Sequence, residues 1–327
     1  MLILAALVLL VGGIGYAVVA QLAQSVGNNV PRVPGVFGQL PDKDRPTDQE
    51  ATTFLIVGTD SRSPNPTTGS DAPAGVKPGA ARSDVIMLAS VAADRTSAAV
   101  VSIPRDSWVS IPGRGQNKIN AAYAFGGPAL LTQTVENLTG VRVNHFAIVD
   151  FAGFQALVDS VGGIDVQVRQ TTSDRGVTFR QGINHLDGGD ALVYVRQRYG
   201  LPNGDLDRIR REQNALKAWL TKAVASGALS NPIVTYRLLD AMKESVSVDD
   251  TLSNSGLASL ALSARDLQAS AITYLSAPVV GFGREGAQAV VYLNDSRANE
   301  LWTAFRDGTI DVYSASHPAD HLAEVPA

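Results

Sequence analysis

The stretch from residue 54 to residue 62 reads Phe-Leu-Ile-Val-Gly-Thr-Asp-Ser-Arg, and it decides the fold class of this chain. Its first half is a short apolar run without polar interruption, which is typical of a strand buried on both faces of a sheet. Asp60 and Arg62 follow that strand at its carboxyl end, where the sheets of α/β proteins place their ligands. The stretch therefore predicts a buried strand with a charged site beyond Gly58, and the alternation of strands and helices after it predicts a layered α/β or α+β domain.

Two further apolar strands follow, and each also meets charged residues at one end. Val85–Val91 comes after Arg-Ser-Asp, and Ala98–Ile103 runs into Pro-Arg-Asp. If the three strands are antiparallel neighbours joined by turns, all of these charges lie at one edge of the sheet. The charged residues at the three strand ends are Asp60, Arg82, Asp84, Arg105 and Asp106. A set of strand-end salt bridges is the alternative interpretation of the same pattern.

The rest of the chain continues to alternate between helices and strands. Lys118 opens a helix, and we expect it to hold a phosphate oxygen beside the free N–H groups of the first turn. Further helices are predicted over Leu130–Leu138, Asp150–Val161, Ile233–Ser245, Leu252–Leu267 and Ser296–Arg306, and strands over His145–Val149, Ile164–Val168, Ala271–Leu275 and Ala289–Leu293. Gly281–Gly286 has the spacing of a dinucleotide-binding loop, but a strand follows it, so we interpret it as a hairpin loop.

Arginines are concentrated between Tyr194 and Gln213, although the chain is slightly acidic overall. They are Arg196, Arg198, Arg208, Arg210 and Arg211. A guanidinium stays protonated and offers a planar fork of donors that matches phosphate oxygens, so the cluster predicts a diphosphate-binding site. A solvated basic helix face is the alternative. The first two arginines share a face if the chain is extended there and diverge if Gly188 opens a helix, and the sequence leaves both possibilities open.

The turn sequence Leu-Pro-Asn-Gly at residues 201–204 divides this arginine cluster. Asp205 is predicted to cap the helix that follows the turn. On that helix, Arg208 and Arg211 are three residues apart and share a face, whereas Arg210 points elsewhere.

The N-terminal residues 1–22 are predicted to form a single transmembrane anchor. Met1–Ala20 carries no charge, and some 20 residues at about 1.5 Å each match a hydrocarbon core roughly 30 Å thick. A cleaved signal peptide is the alternative. Residues 23–51, which are rich in proline, are predicted to be an extracellular linker, residues 52–312 the main domain, and residues 313–327 a polar tail.

The composition excludes several classes of function. The chain has 327 residues, no cysteine and a net charge of −4. The lack of cysteine excludes disulfides, thiolate metal sites and a cysteine nucleophile. The acidic balance argues against nucleic acid as a partner, because nucleic-acid binders present broadly basic surfaces.

Taken in order, these motifs resemble those of the LytR-CpsA-Psr family. The segments that carry the resemblance are Gly58–Arg62, Arg82–Asp84, Ser102–Asp106, Lys118–Tyr123, Val161–Val166, Leu186–Gly188, Tyr194–Arg198 and Asp205–Arg208. The family consists of bacterial envelope enzymes that transfer a glycopolymer from a polyprenyl-diphosphate carrier to peptidoglycan through a phosphodiester. The resemblance implies a three-layer α/β/α sandwich around a mixed central sheet, with an apolar tunnel for the lipid and with residues 52–312 as the catalytic domain.

The resemblance also implies roles for individual residues. Asp60 and Asp84 match carboxylates that hold Mg²⁺, or Mn²⁺ in its place, and together with Arg105 they would be catalytic. The implied diphosphate-binding residues are Arg82, Arg105, Lys118, Arg196, Arg198, Asp205 and Arg208. Four residues after Arg208, where the family often has Gln, this chain has Glu212. Either Gln213 supplies that contact or the pocket is more acidic here.

The implied activity is that of a membrane-anchored phosphotransferase with an extracellular catalytic domain, a polyprenyl-diphosphate-linked glycan as donor and peptidoglycan as acceptor. Phosphoryl transfer mainly requires neutralised charge and an acceptor held in line, to which arginines, Mg²⁺ and a carboxylate are suited. The sequence does not determine whether Asp60 or Asp84 is the base. A polyprenyl-diphosphate hydrolase and a non-catalytic module that binds the lipid-linked polymer are the alternatives. The Ala-, Val- and Arg-rich composition indicates an actinobacterium and favours arabinogalactan over a teichoic-acid-like polymer.

Overall fold

The three strands predicted between residues 54 and 103 form the middle of a seven-stranded mixed sheet. The computed structural model describes residues 30–59, 83–197, 199–202, 204–225, 245–263 and 267–322. The strands are β1 (Arg32–Val33), β2 (Thr52–Thr59), β3 (Ser83–Val91), β4 (Ala98–Ser102), β5 (Trp108–Ile111), β6 (Gly115–Lys118), β7 (His145–Val149), β8 (Ile164–Val168), β9 (Thr172–Asp174), β10 (Val177–Phe179), β11 (Gly182–Leu186), β12 (Val246–Asp249), β13 (Ile272–Ser276), β14 (Val279–Glu285) and β15 (Gln288–Leu293). The helices are α1 (Ile119–Thr139), α2 (Phe151–Ser160), α3 (Gly188–Arg196), α4 (Asp205–Ala225), α5 (Asn254–Ser263), α6 (Asp295–Arg306) and α7 (Ile310–Ser316).

The order of strands across the main sheet is β1, β12, β7, β2, β3, β4 and β13. Strand β3 is antiparallel to both β2 and β4, whereas β7 is parallel to β2. Thr59 at the end of β2 therefore faces Ser83 at the start of β3, and Ser102 at the end of β4 faces Met87. The end of β2, the start of β3 and the end of β4 lie at one edge of the sheet, which confirms the predicted antiparallel arrangement of the three strands.

The side chains of the central strands alternate between two separate cores. Phe54 and Ile56 pack on one face with α2, α3 and α4, while Leu55 and Val57 pack on the other with α1, α6 and α7. The predicted mixed central sheet is confirmed, and helices cover both of its faces. Apolar residues at helical spacing along α4 are buried, including Trp219, whose indole nitrogen donates to the Leu157 carbonyl at 2.7 Å.

The predicted linker over residues 23–51 is wrong from residue 30 onward, because this segment packs on the domain. Strand β1 pairs with β12, and the side chains of Val33 and Val36 are buried. Arg45 forms an ion pair with Glu136 at 2.7 Å, with both side chains largely buried. Proline content indicates that a segment lacks regular structure, but it does not reveal whether a neighbouring surface receives the segment.

The predicted polar tail, residues 313–327, also packs on the domain as far as residue 322. The Tyr313 hydroxyl donates to Asp320 at 2.6 Å, and Asp320 also pairs with Arg297 of α6. The backbone nitrogen of Leu322 donates to the carbonyl of Tyr274 at 3.0 Å. The polar residues of this segment satisfy one another inside the fold, so its hydrophilic composition was a poor guide to exposure.

The predicted anchor over residues 1–22 lies outside the described residues, as do residues 233–244 of the helix predicted over Ile233–Ser245. In the part of the chain that the structure describes, no helix is both long enough and apolar enough to cross a membrane.

Small hairpins outside the main sheet are the chief elements that the sequence did not predict. The predicted strand Ile164–Val168 exists as β8, but it pairs with β11 rather than with the main sheet. Strands β9 and β10 form a second hairpin between them. The segment Gly281–Gly286, predicted as a loop, is mostly strand β14, with the turn beginning at Gly286. Helix α1 spans two predicted helices and leaves helical geometry only at Gly126 and Gly127.

Candidate active site

A cavity of about 310 Å³ opens at the sheet edge where the charged strand ends meet. Its wall comes from the start of β3, the start of α2, the turn between β9 and β10, the end of α3, the segment after it, and the first turns of α4. The lining residues are Asp84, Val85, Phe151, Asp174, Arg175, Val195, Arg196, Tyr199, Arg208 and Glu212. Arginines and carboxylates from separate elements thus converge on one small volume.

Arg196 reaches this cavity from the last turn of α3. The helix begins after Asp187, whose side chain accepts from the backbone nitrogen of Asp190 at 2.8 Å. The sequence left open whether the chain before the turn is extended or helical, and this N-cap shows that it is helical. The guanidinium of Arg196 lies 4.2 Å from the ring centre of Phe151, the first residue of α2. The cation–π contact orients the side chain at the cavity wall.

Arg208 and Glu212 lie one turn apart on α4 and both face the cavity, with 3.5 Å between their closest charged atoms. Gln213 points elsewhere, since its amide nitrogen donates to Ser102 Oγ at 2.9 Å and to the Leu275 carbonyl at 2.6 Å. The structure therefore chooses between the two alternatives. Glu212 makes the pocket more acidic, and Gln213 joins the ends of β4 and β13.

A chain of ion pairs connects the charged strand ends. Arg105 donates from Nη1 to Asp84 Oδ1, and its Nε lies 3.6 Å from Asp106 Oδ2. Asp106 Oδ1 in turn lies 3.0 Å from Lys118 Nζ. The predicted meeting of charges is confirmed for Asp84, Arg105 and Asp106, and the alternative of strand-end salt bridges is also correct for these three. Asp84 is the member that lines the cavity as well.

The surroundings of Lys118 differ from those that the sequence predicts. It precedes α1 as expected, but the first two N–H groups of that helix are already used. The nitrogen of Ile119 donates to the Ser107 carbonyl at 2.9 Å, and that of Asn120 donates to the Arg105 carbonyl at 3.1 Å. Lys118 itself pairs with Asp106, so the loop before α1 takes up these donors, and a role of Lys118 at a phosphate stays a prediction.

Arg211 shares a helix with Arg208 but is fully buried rather than at the cavity. Its guanidinium donates to Gln197 Oε1 at 2.6 Å and to Thr172 Oγ1 at 3.0 Å, and it lies 4.5 Å from the ring centre of Tyr194. Burial lowers the pKa of Arg211 from its usual value, and nearby Tyr194, Asp207 and Asp174 oppose that shift. The pKa of the Tyr194 hydroxyl is raised, mainly by burial.

Asp174 and Arg175 are lining residues that sequence reasoning missed. They stand in the turn of the β9–β10 hairpin, which falls between the motifs that were recognised. The signal available was the dipeptide Arg-Gly between short strands rich in β-branched and aromatic residues, which is typical of a hairpin turn.

A second, apolar cavity of about 50 Å³ adjoins the first beneath the sheet edge. The two cavities share Val85, Phe151, Val195 and Glu212 as lining residues. The remaining apolar lining of the second cavity comes from Ile56, Met87, Val149, Phe154 and Leu192. A polar cavity lined by guanidinium groups thus borders a small space with an apolar wall, and the apolar tunnel for a lipid stays a prediction.

Part of the predicted site cannot be placed. Asp60, Arg82 and Arg198 lie outside the described residues, and Asp205 is the first residue of α4 with its side chain also outside them. Within the described part of the chain, no group of three or more His, Asp or Glu side chains is arranged to hold a metal ion.

A mixed α/β domain in which an arginine-lined cavity adjoins a small apolar one belongs to the class of proteins suited to bind an amphiphilic anion. The sequence profile of the LytR_cpsA_psr family matches residues 22–307, and the chain belongs to this family.

Relatives and solved structures agree with this assignment. The chain is 32% identical to the cell wall biosynthesis protein LcpA of Corynebacterium glutamicum, over 98% of this chain and 68% of LcpA. It is 40% identical to the polyisoprenyl-teichoic acid–peptidoglycan teichoic acid transferase TagU of Enterococcus faecalis, over 52% of this chain and 56% of that protein. The chain thus spans little more than half the length of TagU.

The crystal structure of B. subtilis TagV has the same fold, with a TM-score of 0.63 and 24% identity over 81% of this chain and 99% of TagV. A LytR-Csp2A-Psr enzyme from Actinomyces oris gives the same TM-score of 0.63 over 80% of this chain and 93% of its own.

Proposed function

We propose that this protein is a phosphotransferase that moves a glycopolymer from a polyprenyl-diphosphate carrier onto peptidoglycan and forms a phosphodiester link. The observation that carries the proposal is the cavity lined by Arg175, Arg196 and Arg208 that adjoins an apolar cavity. A diphosphate head suits the guanidinium groups, and a polyprenyl tail gains about 0.8 kcal/mol for each methylene that leaves water. Membership of the family and the activity stated in the name of TagU support the same reaction.

In the proposed reaction, an acceptor hydroxyl of peptidoglycan attacks the phosphorus that bears the glycopolymer. The bond from that phosphorus to the oxygen bridging the two phosphates breaks, and the polyprenyl monophosphate leaves. The proton of the hydroxyl passes to a carboxylate, for which Asp84 and Asp60 are the candidates. Arg196 and Arg208 neutralise the charge that develops on the phosphate oxygens, which is the main requirement of phosphoryl transfer.

The proposal includes a divalent cation, Mg²⁺ or Mn²⁺, to which the residues at the cavity are suited. Mg²⁺ is commonly held by one or two carboxylates completed by water and substrate phosphates, so a large protein cluster is not required. Asp84 meets this need, because it lines the cavity and its hydrogen bond with Arg105 uses Oδ1. Asp60 would be the second ligand. A bound cation would supply further neutralisation of phosphate charge.

The location of the reaction is also part of the proposal. Residues 1–22 would anchor the chain in the cell membrane, with the catalytic domain outside the cell, where peptidoglycan lies. Val33 and Val36 are already packed on the domain, so few residues would separate such an anchor from the fold, which would keep the domain close to the membrane that holds a polyprenyl donor.

The experiment that tests this proposal uses the full chain in detergent. It is incubated with a synthetic polyprenyl-diphosphoryl oligosaccharide, peptidoglycan fragments and Mg²⁺, and the products are identified by mass spectrometry. A phosphodiester-linked adduct together with polyprenyl monophosphate is expected. Release of the oligosaccharide phosphate without an adduct would establish a hydrolase instead, and binding of the donor without any product would establish a non-catalytic module.

A further inference from the structure

We infer that Arg175 is a further substrate-binding residue, whose guanidinium binds an oxygen of the substrate diphosphate from the tip of the β9–β10 hairpin. This inference rests on the proposed function. Arg175 lies outside every motif that carries the family resemblance, yet it lines the same cavity as Arg196 and Arg208. A diphosphate presents oxygens in several directions, so a guanidinium from a third element can reach a side that α3 and α4 do not cover.

The backbone at Arg175 is one that arginine rarely adopts. Asp174 pairs with Val177 across a two-residue loop, with φ of 47° at Arg175 and 85° at Gly176. Positive φ at both central positions is the pattern of a type I′ turn, which prefers Asn, Asp or Gly at its first central position. The left-handed region is unfavourable for other L-residues. An arginine here therefore costs fold stability, and its place at the cavity wall offers a functional reason for that cost.

The base of the hairpin is bonded to both helices that carry the other cavity arginines. Arg211 of α4 is fully buried and links Thr172 in β9 to Gln197, the residue after α3. In β10, the buried ring of Phe179 packs edge-on against Tyr194 of α3, with 5.3 Å between ring centres. The tip of the hairpin consequently has a defined position relative to the cavity. Arg211 acts as a positioning residue that is not itself among the lining residues.

The substitution Arg175→Asn separates binding from folding, because Asn-Gly is a preferred type I′ loop. We expect this variant to melt at a higher temperature than the wild type and to bind farnesyl diphosphate roughly tenfold or more weakly, as for loss of one charge-assisted hydrogen bond. Arg175→Lys retains the charge and is expected to recover part of the affinity. Arg180→Ala is the matched control, since Arg180 is an exposed arginine beside the same hairpin and outside the cavity lining. Affinities are measured by titration calorimetry on the full chain in detergent, and melting by circular dichroism.

Three results would contradict the inference, and they differ in whether they also contradict the proposed function. Equal affinity of the wild type and Arg175→Asn would remove the role of Arg175 but leave the proposed function intact, since the diphosphate still binds. An equal loss in Arg175→Asn and Arg180→Ala would indicate a diffuse basic surface around the cavity. No binding by the wild type, combined with no product in the transfer assay, would remove the proposed function and the inference together.

Discussion

Two largely buried ion pairs, one at the cavity and one outside its lining, show how a carboxylate held within the fold differs from one that lines the cavity. Glu136 accepts from Nε and Nη2 of Arg45, at 3.1 and 2.7 Å, and from the backbone nitrogen of Val143 at 2.9 Å. Among the residues that the structure describes, Asp84 accepts from Arg105 only, and its side chain is 15% exposed against 2% for Glu136.

The carboxylates of Glu136 and Asp84 differ in how much of their capacity to accept hydrogen bonds the protein leaves unused. A carboxylate can accept about four hydrogen bonds. Glu136 uses most of its capacity on donors that tie residues 30–51 to the domain, so it serves the fold. Asp84 keeps capacity directed at a cavity that arginines also line, so it is available to a metal ion or a hydroxyl. Pairing with an arginine is common to both and does not by itself indicate function.

The largest effect is expected from Glu136→Gln. The substitution leaves Arg45 buried without its charged partner, so the free energy of unfolding should fall by about 3–5 kcal/mol in urea denaturation. Asp42→Asn is the control, because Asp42 pairs with Arg142 but is 84% exposed, and only a small change is expected. Equal losses in the two variants would mean that burial does not distinguish these pairs.

Asp84→Asn tests the functional side of the comparison. Metal-stimulated transfer should fall by about a hundredfold or more, the scale expected for one preorganised electrostatic group. Affinity for the lipid diphosphate should weaken only when Mg²⁺ is present, which titrations with Mg²⁺ and with chelator would reveal.

The opposite result would follow if Asp84 served only to pair with Arg105. The mutant would then bind the diphosphate more tightly without metal, because a cation is freed from competition, and chelator would leave wild-type turnover unchanged. That pair of observations would make Asp84 a structural carboxylate like Glu136.

Arg196→Ala should weaken binding of a polyprenyl diphosphate by roughly 1.5–3 kcal/mol while the fold survives, because charge-assisted hydrogen bonds are lost. The sequence predicts the same for Arg198→Ala. The control is Arg210→Ala, since Arg210 pairs with Asp207 at 3.0 Å and lies outside the cavity lining. Equal losses from all three variants would indicate a diffuse electrostatic patch rather than a shaped site.

The smallest effect is expected from Glu212→Gln, which removes a negative charge from the cavity wall and releases Arg208 from a 3.5 Å ion pair. Affinity for the diphosphate should rise severalfold, up to about tenfold, in the same titration. The neighbouring Gln213→Ala should instead lower stability and leave affinity unchanged, because its amide joins two strand ends. A gain in affinity from Gln213→Ala would contradict this division of roles.

Several features could be predicted from the sequence because each depends on local physics. The apolar runs at β2, β3 and β4 required burial on both faces, and the charges that ended them had to lie at the sheet edge. The spacing of apolar residues in α4 required a buried face, on which Leu216 and Leu220 indeed lie. The motifs, in their order along the chain, were specific enough to identify the family from the sequence alone.

Only the tertiary structure decided which of two similar residues faces the cavity. Helical spacing places Arg208 and Arg211 on one face but does not reveal what that face meets, and the β9–β10 hairpin covers Arg211 while Arg208 stays at the cavity. The adjacent residues Glu212 and Gln213 differ for the same reason. Gln213 bonds Ser102 at the end of β4, whereas Glu212 lines the cavity. The sequence by itself determined the sheet, its charged edge and the chemistry available there. The contacts that separate the arginine lining the cavity from the one packed under the hairpin join residues distant in the chain, and no local pattern encodes them.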